Sequence, residues 1–286
     1  MIDYIGELRN MLAFRGLAPN TISTYTTYIR RYLEFIEMVL CKDPENVTWE
    51  ERRNFIMYIE EACELSPRTI NLVIAVIQSF TIFVLHQQWD PTQLPKRKFD
   101  EYIPYVMSQE DTWKFISTIK DIKIKAMVSL LYSSGLRSCE LSQLRYEDIS
   151  RANMRVHIAK SKNRSEGYTQ LSKQALEYLT EYWCKSGKPR GWLFPGIRDQ
   201  EKPIGAYMIL KGIREHEKHL GLEHRITCHT FRHCIGSHLY QNKTDLPTIQ
   251  KFLRHKSILS TLIYITLADT ALNEVVNPFD LMGSKV

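Results

Sequence analysis

Residues 228–238 read CHTFRHCIGSH, and residues 245–267 read DLPTIQKFLRHKSILSTLIYITL. No other part of the chain is as dense in groups that can carry chemistry, and three readings of the first segment compete. His229 and His233 lie four apart on one helical face with Cys228, Cys234 and His238 nearby, a set that could hold zinc. The metal reading is weak, because Thr230 stands where the zinc-protease pattern needs Glu, and no paired-Cys motif supplies a structural spacing. The second reading makes these helix-packing histidines and small buried cysteines. The third pairs His229 with Arg232, three apart on one face and aimed at an anion; the planar arginine fork matches two phosphate oxygens and keeps its charge. Further along, Asp245 and Pro247 start a helix that runs to His255, and Ser257 can cap the next. Tyr264 follows His255 by nine residues. On one unbroken helix those two would face opposite ways, so a turn at Lys256 and Ser257 is needed to bring them together.

Upstream of this stretch the pattern is helical with one short β insertion. Ile124–Tyr132 reads as a buried helix. Met154–Ala159 alternates like a strand, and Gly167–Leu171 can return beside it after the polar turn Lys160–Glu166, so a small sheet edge carries a lysine-rich loop. Lys173–Cys184 is helical, the chain breaks at Gly187–Gly196, and three or four helices then run to about Val276. The first 88 residues read as helices throughout. Pro19 opens the stripe Ile22, Tyr25, Ile29, Tyr32, Leu33 and Ile36; Ser66 and Pro67 open another at Ile70, Val73, Ile74, Ile77 and Phe80. Shorter helices fit Ile5–Phe14 and Trp49–Glu61, so four helices can share one core. Three prolines and the basic run Lys96, Arg97 and Lys98 make Gln87–Pro104 an extended connection, after which Ser108 and Asp111 resemble a capping box.

The expected fold is therefore mainly α, with two domains: a four-helix unit over 1–88, a linker over 89–104, a mixed α/β but mostly helical unit over 105–276, and a tail over 277–286. The charge is divided unevenly between them. The 286 residues carry a net charge of +6, yet residues 1–104 hold 11 basic and 14 acidic side chains against 27 and 18 in the remainder. Such an excess attracts polyanions without identifying them. The hydrophobic fraction of 44% is that of a globular protein. No apolar run approaches the roughly 18 residues of a membrane span, and Asp3, Glu7 and Arg9 interrupt the place of a signal peptide's apolar core. Six scattered cysteines read as free thiols in a reducing compartment. Gly187 and Lys188 lack the rest of a phosphate-binding loop, which argues against ATP, and dispersed carboxylates support neither a two-metal site nor a glycosidase pair.

At this point the chain resembles the tyrosine recombinases, or phage integrases. The resemblance is carried by SSGLRSCEL with Arg137, IAKSKNR with Lys160, HTFR with His229 and Arg232, and FLRHKSILSTLIY with His255 and Tyr264, six positions in the family's order. RGLAPNTISTYTTYIRRYLEFIE resembles the family's core-binding domain. Glu140 matches an acidic position that supports the site from behind, Lys162 competes with Lys160 for the lysine role, and Arg254 stands where many relatives have glycine.

The resemblance implies a two-domain clamp on double-stranded DNA bearing a specific recombination site. Tyr264 would form a 3′-phosphotyrosine with His229 as base, Arg137 and Arg232 would hold the nonbridging oxygens, Lys160 would protonate the leaving oxygen, and His255 would add a hydrogen bond. No metal and no cofactor is implied. Lys96, Arg97, Lys98 and Lys162 would lie along the DNA backbone, and four copies would assemble in the synapse, with accessory proteins left open. Ala268, Leu272 and Val275 could form the apolar face of a last helix that docks on a neighbour or packs in cis. A cytoplasmic, nucleoid-associated bacterial protein is expected, of compact chromosomal or transposon type, without the arm-binding domain of larger integrases. The rival readings are a type IB topoisomerase, which would relax DNA without exchanging strands, and a non-catalytic DNA-binding relative.

Overall fold

The computed structural model describes residues 3–100, 103–159, 166–188 and 190–267. The chain divides into two compact units, 1–101 and 102–286.

Four helices build the first: α1 (Tyr4–Phe14), α2 (Pro19–Phe35), α3 (Trp49–Cys63) and α4 (Pro67–Phe83). Their starts follow from local chemistry. Asp3, Thr48 and Ser66 each turn a side-chain oxygen to an orphan N–H of the first turn, and Pro19 and Pro67 stand where a missing N–H costs nothing. The stripes then bury one face each. Leu8, Leu12, Ile29, Tyr32, Phe55, Ile70, Val73 and Phe80 form the core, each worth about 1.5–3 kcal/mol for an aliphatic or aromatic side chain removed from water. The extended stretch after α4 is held to this unit as far as residue 97. Trp89 packs edge-on against Trp49, Arg53 donates to the Gln93 carbonyl, and Asn71 bonds the Arg97 backbone in both directions, at 2.7 and 2.9 Å.

The second unit contains α5 (Gln109–Thr118), α6 (Ile122–Ser133), a short α7 (Ser138–Ser142), α8 (Lys173–Lys185), α9 (Ala206–Leu220), α10 (Cys228–Gln241), α11 (Leu246–Leu253) and α12 (Leu259–Leu267). Its strands are β1 (Ile149–Ser150), β2 (Arg155–Ile158) and β3 (Gly167–Gln170), an antiparallel sheet in that order. The expected hairpin is β2 and β3, with Ile158 opposite Gly167; the two-residue β1 is too short for an alternation to announce it. Ser108 does cap α5, but Asp111 accepts from the Ser108 hydroxyl rather than reaching back to its backbone. Helix α6, buried nearly all round, lies in a core with Phe115, Val156, Phe194, Ile213 and Phe231. A smaller apolar cluster, Ile249, Leu253 and Tyr264, joins α11 and α12 to α10.

The base of the hairpin is tied by one histidine. His157 on β2 meets Asp148 at Nδ1 and Glu166, just before β3, at Nε2, both at 2.9 Å. Those hydrogen bonds, Asp148 first, raise its pKa above the ordinary value. A raised histidine stabilises the fold fully below its unfolded pKa of about 6.5, and that contribution is lost as pH rises through the folded value. Denaturant unfolding of wild type and His157→Gln should therefore differ most in mildly acidic solution, and the gap should close on going alkaline. A gap independent of pH would show that the bridge does not depend on the proton.

Candidate active site

The site is assembled from three places in the chain. The turn before α7 supplies Arg137. Gly135 within it takes φ +58°, and an ideal Cβ there would lie 2.6 Å from a Leu253 methyl, so glycine serves both the backbone and the close approach of α11. Glu140, three residues on, accepts from the Arg137 backbone N–H and from its guanidinium, each at 2.8 Å. Burial works to raise the Glu140 pKa, but Arg254 and Arg137 hold it below the usual carboxylate range.

Helix α10 supplies the second arginine. Thr227 caps it by accepting from the Thr230 N–H, and Arg232 lies one turn further in, 3% exposed. Its Nη1 donates to the Gly135 carbonyl and its Nη2 to the Leu253 carbonyl, so this side chain joins the arginine turn to the end of α11. Burial, then the neighbouring Arg137, lowers its pKa to about 10, and it keeps its charge at neutral pH.

The third place is the α11–α12 junction. Helix α11 ends at Leu253, Arg254 turns into the left-handed region at φ +54°, and the Ser257 hydroxyl accepts from the Leu259 N–H to open α12. This is the break that the nine-residue spacing required. The rings of His255 and Tyr264 lie near-parallel, with centroids 6.2 Å apart, and His255 Nδ1 is 2.9 Å from the Thr261 hydroxyl. Burial, then Arg232 and Arg137, brings His255 down to about 4, so the ring is neutral. Tyr264 is 1% exposed; burial pushes its hydroxyl up to about 12 against the pull of Arg232 and Arg137.

Arg137, Glu140, Arg232, His255 and Tyr264 thus form one group. His229 is exposed on the first turn of α10, its ring 6.2 Å from that of His233, which in turn lies 6.3 Å from the Tyr264 ring. His233 entered the sequence reading as a zinc ligand or a helix-packing histidine; in the structure its ring faces the tyrosine, and burial lowers it to about 4. Among the described residues no cluster of three metal-ligating side chains exists. Lys160, Lys162, Ala268, Leu272 and Val275 lie outside the described residues. In the first unit Lys96, Arg97 and Lys98 are all exposed, and Arg97 meets Glu60 at 2.9 Å. A surface pair of this kind is worth no more than about 1 kcal/mol and is readily exchanged for another anion.

Two further residues have contacts at the site that the sequence reading did not assign to them. Gly236 is the floor on which the tyrosine lies: an ideal Cβ there would be 2.3 Å from Tyr264 Cζ and 2.5 Å from Cε1. Gly236→Ala should gain about 1 kcal/mol of helix propensity yet lose activity, because a ring displaced by about 1 Å costs about 100-fold in rate. Melting and single-turnover cleavage measured together test this; an unchanged cleavage rate would show that the ring's seat is irrelevant. Arg254, which stands where many relatives have glycine, is 9% exposed at its side chain and reaches Glu140 Oε2 at 2.7 Å.

A helical unit, a second helical unit with a small antiparallel sheet, and a tyrosine seated among arginines from α7 and α10 are together the design of the tyrosine recombinases. The phage integrase family model matches residues 106–271, and the phage integrase N-terminal SAM-like domain matches residues 5–91. Tyrosine recombinase XerD of Listeria monocytogenes is 29% identical over 298 residues, covering 98% of this chain and 99% of that one. In fold, the chain is similar to a lambda integrase dimer bound to a COC′ core site, with TM-score 0.74, 15% identity and coverage of 96% of this chain and 98% of that one. It is also similar to the XerH recombinase in a post-cleavage complex with its difH substrate, with TM-score 0.70, 19% identity and coverage of 88% and 78%. The chain belongs to the phage integrase family of tyrosine site-specific recombinases. Among the described residues no helix is long and apolar enough to cross a membrane.

Proposed function

We propose that this protein breaks and rejoins double-stranded DNA at a specific recombination site, with Tyr264 as nucleophile. The observation that supports it most is the placing of Tyr264 under the field of Arg232 and Arg137, two guanidiniums fixed by Glu140 and by the Gly135 and Leu253 carbonyls. Such preorganised donors stabilise charge where it develops in a transition state. Tyr264 Oη attacks the phosphorus, the bond to the 5′-oxygen breaks, and a 3′-phosphotyrosine forms. A hydroxyl with a pKa near 12 cannot ionise in advance, so its proton leaves during attack, and exposed His229 is the base. Lys160 gives a proton to the leaving oxygen. Neutral His255 shares a hydrogen bond between Nδ1 and the Thr261 hydroxyl, and in the tautomer whose Nδ1 accepts there, Nε2 carries the proton and donates to the phosphate. The phosphodiester bond energy is kept in the intermediate, so the cycle is reversible without ATP or metal.

The basic excess of residues 105–286, together with Lys96, Arg97, Lys98 and Lys162, supports a grip on the DNA backbone, where most nucleic-acid affinity arises. Assembly as a tetramer at synapsis belongs to the same reading. The test is a nicked suicide duplex carrying the element's own terminal or resolution sequence, with denaturing gels to detect a protein–DNA adduct. An adduct that resolves into exchanged strands is expected. Relaxation of supercoiled DNA with no strand exchange at any candidate site would reassign the protein to topoisomerase-like chemistry, and binding with no adduct at any of them would make it a binding protein only.

A further inference from the structure

Arg254 occupies a backbone position at φ +54° and ψ +48°, which glycine adopts freely and an L side chain does not. What it gains there is a buried ion pair. Its guanidinium meets Glu140, whose side chain is 7% exposed, at 2.7 Å. The same carboxylate holds Arg137 twice, at the backbone N–H and at Nη1. One anion therefore bridges Arg137, three positions before it, and Arg254, 114 positions after it. The residue before Arg254 gives its carbonyl to Arg232, and the residue after it is His255, bonded to Thr261. On the other side the stem lies under the start of β3: an ideal Cβ on Gly167 would be 3.3 Å from Arg254 Cδ. Arg254 thus touches both the support of Arg137 and the hairpin whose connecting segment includes Lys160.

We propose that Arg254 is a positioning residue for strand cleavage, completing through Glu140 the clamp that fixes the Arg137 guanidinium and tying the His255 turn to α7. The inference rests on the recombinase reading of the site. A buried carboxylate that loses one of its cations keeps its desolvation penalty, so its hold on Arg137 weakens and its proton affinity rises. The charged groups around Glu140 are Arg137 on the α7 turn, Arg232 on α10 and Arg254 at the end of α11, with His255 beside them. Removing Arg254 leaves Glu140 to protonate at a higher pH, and the acid side of the cleavage profile moves with it.

The experiment is single-turnover cleavage of the suicide duplex across pH by wild type, Arg254→Gln, Arg254→Lys, Glu140→Gln and the Glu140→Gln/Arg254→Gln double variant. DNA affinity and melting are measured alongside. Arg254→Gln should cut about 10- to 100-fold more slowly at unchanged DNA affinity. Its acid limb should move to higher pH, and Arg254→Lys should recover most of the rate and the limb. The double variant should be no slower than Glu140→Gln, since both changes break one connection. If Arg254→Gln does not fold, Arg254→Lys with a wild-type acid limb and Glu140→Gln with a lost one remain the expected pair. Full-rate cleavage with an unmoved acid limb, or independent losses in the double variant, would overturn the inference. A wild type that forms no adduct at any site fails in every arm and removes the recombinase reading itself.

Discussion

Tyr264→Phe is expected to abolish the covalent protein–DNA adduct completely while leaving DNA affinity within about twofold, since backbone-gripping charges supply that affinity. The substitution removes one oxygen and keeps the ring that fills the space over Gly236 and completes the apolar cluster with Ile249 and Leu253. Stability should therefore hold, so lost chemistry cannot be confused with lost structure. Retained adduct formation by the Phe variant would place the nucleophile elsewhere. The burial of Tyr264 adds a condition, because a side chain 1% exposed must be met by a phosphate brought into its site or must turn outward to reach one. Tyrosine nitration that is slow in the free protein and accelerated by site DNA would reveal the second course.

Arg232→Lys is the second large effect, and here stability and activity should fall together. Lysine keeps the charge but is a point donor on a flexible stem, and it cannot serve the Gly135 and Leu253 carbonyls while also presenting a fork to a phosphate. Both carbonyls belong to buried residues, and leaving such groups unpaired costs about 1–3 kcal/mol. Cleavage should drop about 1000-fold, the upper range for loss of a preorganised donor to a transition state. Chemical denaturation and single-turnover kinetics check the two halves separately; wild-type stability in the lysine variant would show that the carbonyl bonds carry no load.

Much of this was readable in the residues, and what was readable was local. Pro19, the pair Ser66 and Pro67, and apolar stripes at helical spacing marked α2 and α4; the alternation at 154–159 marked the hairpin. Six candidate positions could be named because each sits in a short motif that the family resemblance picks out. The unreadable part is the long-range pairing. Nothing near Arg254 says that its side chain will meet a carboxylate 114 positions earlier, and the same residue looked like a mere loss of glycine. Gly236 looked like a small residue in a polar helix until the tyrosine ring was found on it. Likewise, the polar, proline-rich stretch Gln87–Pro104 reads as an extended connection, and its docking through Trp89 and the Arg97 backbone depends on tertiary partners in the first unit that local sequence does not announce.

Arg232 joins the arginine turn, 97 positions before it, to the end of α11, 21 positions after it, and this order bears on when during synthesis the site becomes complete. A ribosome releases the arginine turn first, then α10, and Tyr264 only after the segment that locks them together. A polypeptide that stops before α11 has neither the Leu253 carbonyl that fixes Arg232 nor the proposed nucleophile Tyr264. On the proposed reading, the reactive side chain therefore emerges only after the two arginines and the carbonyls that fix Arg232.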